Sequence, residues 1–367
     1  MKKRILCYIG KSVYQKGLWE GNSGNYLFNL SLETALANAN TEVSFYPLSD
    51  FESHSPDFVN NNFDLVLYSA ANIINRKCKD FFLVAASQIS KYKVPIFFIG
   101  AGLETKIYDY KFKFVDSFKT ELSYFIDAVA KVGGAFSLRG ERTAFVFKKL
   151  GFDNFKVTGC PSIFMFGPDM SISFPSLTES NFKPLINGTA ILKNPKLNYA
   201  FNKYKNSIFI CQDRFYKILY ERDKHPFRYH DFFIKARFGS LALNLLNENR
   251  IKLFKDIPVW FDYLKNNGYN FSFGSRIHGN IVPLLCNIPV LIYTDDMRVL
   301  ELAEFFDIPY LTKIPKSFDL LEAYNNLDYS KFNAGFKTKF RNFQNFFDEY
   351  NIPCRLGQAR EYLLKLN

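Results

Sequence analysis

The sequence predicts an α/β protein of two Rossmann-like domains facing each other across a cleft. Its 367 residues exceed what one ordinary hydrophobic core organises. Short apolar runs alternate with amphipathic stretches in both halves, the rhythm of a doubly wound parallel sheet. From Gly167 to about Asn206 the periodicity stops, and Pro168, Pro175, Pro184 and Pro195 gather with Ser, Thr and Asn. Such a stretch reads as an interdomain linker or flap. The expected division is a first domain over 1–167, a linker over 168–206, a second domain over 207–325, and terminal helices over 326–367 that pack back on the first domain.

In the first half, Arg4 to Ile9 reads as a strand, followed by a glycine-rich loop from Gly17 to Asn25 and a helix from about Tyr26 to Ala39. The loop lacks the spacing of a dinucleotide fingerprint and has no P-loop Lys-Ser/Thr. Its small polar residues would hold a ligand through backbone N–H groups, or Asn22 and Asn25 simply cap the helix. Strands follow near Glu42–Tyr46 and Asp64–Tyr68, then a helix near Arg76–Lys91 and the apolar strand Pro95–Ile99, with Gly100-Ala101-Gly102 at its carboxyl end. A helix near Lys119–Lys131 precedes the strand Ala135–Leu138, which delivers Arg139 to the start of another helix. Arg139 reads either as a ligand-binding cation or as the ion-pair partner of Glu141. Lys156 to Ser162 is a further strand ending in a tight turn.

The second half restarts a sheet at Ser207–Cys211 and passes through a charged segment, Tyr216 to Asp231, that reads as irregular and holds His225 and His230. Helices are expected near Leu241–Asn249 and Ile257–Asn267. Residues 271 to 298 then combine three signals. Phe271–Phe273 ends a buried strand, Gly274-Ser275 turns, and Pro283 suits the first turn of a helix capped by Asn280. Arg276, His278 and Gly279 therefore fall in a loop where free N–H groups and the positive helix end face a ligand, a seat for phosphate or carboxylate. Pro289–Tyr293 is a second buried strand, and Thr294, Asp295, Asp296 and Arg298 leave its carboxyl end, the edge where ligands bind in open α/β sheets. Met297–Phe306 reads as a helix, Pro309–Leu311 as a short strand, and Tyr329–Tyr350 and Gly357–Leu366 as basic amphipathic helices.

Composition limits the function classes. The formal net charge of +12 suits nucleic acid, an anionic membrane surface or an anionic substrate without choosing between them; the basic residues are spread without an Arg-rich tail or nucleic-acid motif, so no nucleic-acid partner is expected. The six cysteines are scattered, without C-x-x-C pairs or His at ligand spacing, so no metal is expected. No apolar run approaches the ~20 residues that cross a bilayer. A cytoplasmic location follows, with peripheral contact of the basic terminal helices at the inner membrane face as an option.

Three stretches carry a resemblance: Gly21-Asn-Ser-Gly-Asn25; Phe136-Ser-Leu-Arg-Gly-Glu-Arg-Thr143 continuing to Gly159-Cys-Pro-Ser162; and Gly274-Ser-Arg-Ile-His-Gly-Asn280 with Asp296-Met-Arg-Val-Leu-Glu-Leu302. Together, from Gly21 to about Leu311, they resemble the polysaccharide pyruvyl transferase family. The resemblance implies a glycosyltransferase B-like fold and transfer of the pyruvyl group of phosphoenolpyruvate onto sugar hydroxyls as a ketal, in surface-polysaccharide synthesis. It implies no cofactor beyond phosphoenolpyruvate as donor co-substrate, and a saccharide acceptor, lipid-linked in one version. On that reading Arg276, Arg139 and Arg298 hold the donor's two anionic groups, with Gly279 and Asn280 beside them. His278 as imidazolium protonates the methylene carbon, and Asp295 or Asp296 is the base. The acceptor lies on the first domain, the second being the donor side, near Asn22, Asn25 and Gly102, with Trp19 either stacking on sugar or buried as core. A sugar-nucleotide-dependent glycosyltransferase of the same fold is the alternative, and a non-enzymatic carbohydrate-binding module a third. The oligomeric state is not legible.

Overall fold

A parallel strand covered on both faces has no side on which to place polar residues, and the first strand has that character. In β1 (Lys3–Ile9), Ile5 to Ile9 are all buried. The computed structural model describes residues 2–10, 23–37, 41–109, 111–188, 194–212, 231–254 and 256–359. Within them the chain forms two Rossmann-like α/β domains whose parallel sheets face each other across a cleft. The first is built from β1, α1 (Ser23–Leu36), β2 (Thr41–Pro47), α2 (Pro56–Asn62), β3 (Leu65–Ser69), α3 (Lys79–Ile89), β4 (Ile96–Ala101), α4 (Lys119–Lys131), β5 (Ala135–Leu138), α5 (Glu141–Lys149) and β6 (Phe155–Val157). Its strands pair in the order β2-β1-β3-β4-β5-β6, all parallel.

The second domain is built from β7 (Pro184–Asn187), α6 (Pro195–Lys203), β8 (Ile208–Cys211), α7 (Asp231–Phe238), α8 (Ser240–Asn247), β9 (Ile251–Leu253), α9 (Ile257–Asn266), β10 (Phe271–Gly274), α10 (Ile277–Leu285), β11 (Val290–Tyr293), α11 (Met297–Phe306) and β12 (Tyr310–Leu311). Its order is β12-β11-β10-β7-β8-β9, again all parallel. The order reverses between β7 and β10, so the two neighbouring strands send their helices to opposite faces and leave a crevice at their carboxyl ends.

This arrangement corrects the expected linker. Pro184 to Asn187 lies inside the stretch read as aperiodic, yet it is fully buried at the centre of the second sheet, paired with both β10 and β8. The run is four residues long, too short for periodicity to register, and it opens on proline, which a strand tolerates at its first position. α6 follows in the same stretch, with Pro195 as its first residue. The segment from Tyr216 to His230, Trp19 and, beyond Ala359, the helix expected over Gly357–Leu366 lie outside the described residues.

After α12 (Leu320–Asn325), α13 (Ser330–Glu349) returns to the first domain. Phe332, Phe336, Phe343, Phe346 and Phe347 form one buried stripe at helical spacing, and Phe346 and Tyr350 meet Phe97 of β4. Lys3 Nζ donates to the Asn351 carbonyl at 2.6 Å and the Arg355 N–H to that of Ala35 at 2.7 Å. One apolar core consequently runs across both domains, joining Leu27 of α1, Ile281 of α10 and Phe336 of α13. No helix among the described residues is long and apolar enough to cross a membrane.

Candidate functional site at the domain seam

At the switch point of the second sheet, β7 ends in Asn187 and β10 in Gly274. A Cβ on Gly274 would sit 2.3 Å from the Asn187 side chain, so glycine is what lets the strands' ends close over that amide. Asn187 Oδ1 accepts the Arg276 N–H at 2.9 Å, and its Nδ2 donates to Asn280 Oδ1 at 3.1 Å. Ser272 Oγ donates to the same Asn280 oxygen at 2.9 Å, while Asn280 Nδ2 reaches the carbonyls of Gly274 and Arg276. Asn280 is fully buried, and its amide holds the β10–α10 turn.

The helix start differs from the sequence reading. α10 begins at Ile277 with Arg276 in the N-cap position, so His278, Gly279 and Asn280 lie in its first turns and not in a loop. Pro283 is therefore inside the helix, where it removes the bond to the Gly279 carbonyl, a loss of ~3 kcal/mol in an exposed helix. Here every residue from His278 to Leu285 is buried, and packing holds the helix in place of that bond. The first-turn N–H groups of Ile277, His278 and Gly279 have no acceptor within the helix and face the crevice end of the sheet. Gly279 serves close packing: a Cβ there would lie 2.4 Å from Gln212 Oε1 and 2.8 Å from the Asn187 side chain. Gln212, at the end of β8, is buried, and among the described residues neither of its amide atoms has a partner.

His278 is where the domains meet. A Cβ on Gly24, in the first turn of α1, would stand 2.6 Å from its Nδ1, and its Nε2 lies 3.9 Å from Cys160 Sγ. Burial, and then the Arg139 guanidinium, push its pKa down to about 3. The ring is neutral at neutral pH, which corrects the expectation of an imidazolium acid: the enclosed cation beside it is Arg139. That guanidinium is itself buried, donating from Nε to the Gly100 carbonyl at 3.0 Å. Glu141, the partner suggested by sequence, is exposed, and no Arg139–Glu141 pair forms among the described residues. Gly102 makes room for Arg139, since a Cβ would approach its Cδ to 2.8 Å.

The residues after β11 clasp the first domain. Asp295 pairs with Lys106 at 2.5 Å and its carbonyl accepts the Ile107 N–H; the Met297 N–H donates to the Thr105 carbonyl at 2.9 Å. Asp296 caps α11 and binds the Arg298 guanidinium, which also reaches Glu104 at 3.3 Å. Each of these two carboxylates is thus paired with a cation. Further along α11, Glu304 forms a two-pronged pair with Arg142, both contacts at 2.7 Å. Glu301, buried, accepts from the Thr143 N–H at 2.6 Å and its hydroxyl at 2.8 Å, capping α5 from the other domain. Burial raises its carboxyl to about 7. Glu301 is not among the site residues expected from the sequence; a charged residue amid the apolar positions of an amphipathic helix is the signal that marks it. Asn25 is exposed on α1, and Asn22 lies outside the described residues. Among the described residues no group of three or more His, Cys, Asp or Glu side chains is placed to hold a metal.

A model of the family described as polysaccharide pyruvyl transferase matches residues 22–296. The chain belongs to that family. Solved structures similar over nearly the whole chain include proteins named for UDP and for a UDP-sugar. The S. aureus MnaA–UDP structure shares 13% identity over 95% of this chain and 97% of that one, with a TM-score of 0.51. A putative UDP-N-acetylglucosamine 2-epimerase from Listeria monocytogenes shares 12% over 97% and 99%, also at 0.51. At such identities the likeness establishes the fold. No curated protein matches.

For this member of the polysaccharide pyruvyl transferase family, the expectation of a phosphoenolpyruvate-dependent pyruvyl transferase is corrected. The whole-chain likenesses run to the UDP-linked proteins instead. Phosphoenolpyruvate as donor and partner falls with it, and so does the transferase chemistry assigned to His278.

Proposed function

We propose that this chain is an enzyme that processes a nucleoside-diphosphate sugar, its diphosphate seated at the N-terminus of α10. The observation that carries the reading is the position of that helix end. It opens at the switch point between β7 and β10, where an open α/β sheet binds its ligand, with Arg276 at the N-cap position. The reading is supported by the MnaA structure containing UDP and by the Listeria protein being named for a UDP-sugar. Neutral His278 and buried Arg139 close the seam on the first-domain side, where the sugar would lie.

The test is a thermal-shift titration of the full chain with UDP, UDP-N-acetylglucosamine, orthophosphate and phosphoenolpyruvate. A ligand at a hundredfold its Kd stabilises the native state by ~2.7 kcal/mol. UDP and the UDP-sugar raise the melting temperature, and Arg276→Ala removes most of that gain. No shift with any nucleotide, beside a clear one with phosphoenolpyruvate, would sink the reading.

A further inference from the structure

A cavity of about 440 Å³ lies against the clasp between the domains. It is walled by Glu104, Thr105, Lys106, Tyr108 and Asp109, by Lys113 and Phe114, by Arg76 ahead of α3, and by Asp296. Its charges are unequally committed. Glu104 and Asp296 both engage Arg298, and Asp109 accepts from the Thr105 hydroxyl at 3.1 Å. Lys106 is held by Asp295. Among the described residues Arg76 and Lys113 have no carboxylate partner, although both line the same space; the Arg76 guanidinium instead lies 5.7 Å from the centre of the Phe114 ring. The lining thus carries three carboxylates against three cations, and the two cations without a carboxylate partner, Arg76 and Lys113, are the groups with which an incoming anion can pair. Tyr108, 73% exposed, presents its ring at the same place. An aromatic ring left in water beside a polar cavity offers a flat face for the C–H side of a sugar.

We propose that this cavity is a subsite for a sugar bearing a carboxylate or a phosphate, its ring on Tyr108 and its anion on Arg76 and Lys113. The inference goes beyond the nucleotide reading. A second sugar site is what a transfer between two sugars requires, and an isomerisation of one nucleotide sugar does not.

The experiment is calorimetric titration of the full chain with D-glucuronate, glucose 6-phosphate, D-glucose and inorganic phosphate, with UDP titrated in parallel. Both anionic sugars, or one of them, bind at least tenfold tighter than glucose and than phosphate; which one assigns the anion as carboxylate or phosphate. Arg76→Gln weakens that binding at least tenfold, Tyr108→Ala weakens it as well, and UDP binding is unchanged in both. The proposal is overturned if glucose or free phosphate binds as tightly as the anionic sugars, if none of the sugars binds, or if both variants bind like the wild type. Should either variant also lose UDP binding, the fold has been disturbed, and Lys113→Gln at an exposed position decides in its place. Failure of UDP to bind the wild type refutes the nucleotide reading alone, since the sugar titrations are read independently.

Discussion

A methyl group placed on Gly24 would lie 2.6 Å from Nδ1 of His278. The residues belong to different domains, so the N-termini of α1 and α10 meet at a contact that only a glycine allows. Gly24→Ala must push the imidazole or the helix aside within a buried seam. We expect a loss of about 1–3 kcal/mol, the usual consequence of overpacking, measured by urea denaturation. An unchanged midpoint would mean that the seam opens without cost and that His278 is not fixed by α1.

Two buried groups at this seam titrate in opposite senses. His278 falls from 6.5 to about 3 on folding, so the unfolded chain binds the extra proton between those values and stability is lost as pH falls through that window. Glu301 rises from 4.5 to about 7, so the folded chain binds the extra proton there and stability is lost as pH rises through its window. Between about pH 4.5 and 6.5 the two slopes oppose each other. His278→Gln should leave a stability that declines with rising pH, and Glu301→Gln one that increases, each by up to ~1.4 kcal/mol per pH unit. Denaturation midpoints of the three proteins at pH 5, 6 and 7 check this; parallel profiles would show that neither group shifts on folding.

Asn187 supplies the bonds that fix where α10 begins. Asn187→Ala removes the acceptor of the Arg276 N–H and the partner of the Asn280 amide, both enclosed. The expected cost is about 2–4 kcal/mol for two buried polar groups left with fewer partners. UDP stabilisation should fall alongside, because the helix end that would seat the diphosphate is no longer held. A variant that loses stability but keeps full UDP binding would place the nucleotide elsewhere.

The sheets were legible because buried parallel strands are apolar on both faces: Leu65–Ser69, Ile96–Ala101 and Val290–Tyr293 announce themselves. β7 did not, because four residues opening on proline resemble the loop around them. The Arg276–Asn280 stretch was found for its residue types, and its local geometry was missed because burial overrode the rule that proline starts a helix. The roles of Asp295 and Glu301 depend on partners from the other domain, Lys106 and Thr143, and Arg298, which holds Asp296 from within the same helix, reaches across to Glu104. No local pattern encodes such partners; a charged residue with an apolar neighbourhood is the trace they leave.

Thr143 and Glu301 test how the clasp holds. The carboxylate accepts two bonds from one residue at the start of α5, one from its backbone and one from its hydroxyl. Thr143→Val keeps the shape and the N–H but removes the hydroxyl donor, leaving a buried oxygen with less to bind. A bond to a charged group is worth ~1.5–3 kcal/mol and a neutral one ~1. Because Glu301 ionises near pH 7, the substitution should cost more at pH 8 than at pH 5. Arg142→Ala, which breaks a pair whose side chains are 31% and 32% exposed, should cost only ~1 kcal/mol and fade with added salt. Denaturation of both variants at the two pH values, with and without 0.5 M salt, gives the comparison. If Thr143→Val is harmless at pH 8 while Arg142→Ala is severe, the exposed pair and not the buried carboxyl joins α11 to the first domain.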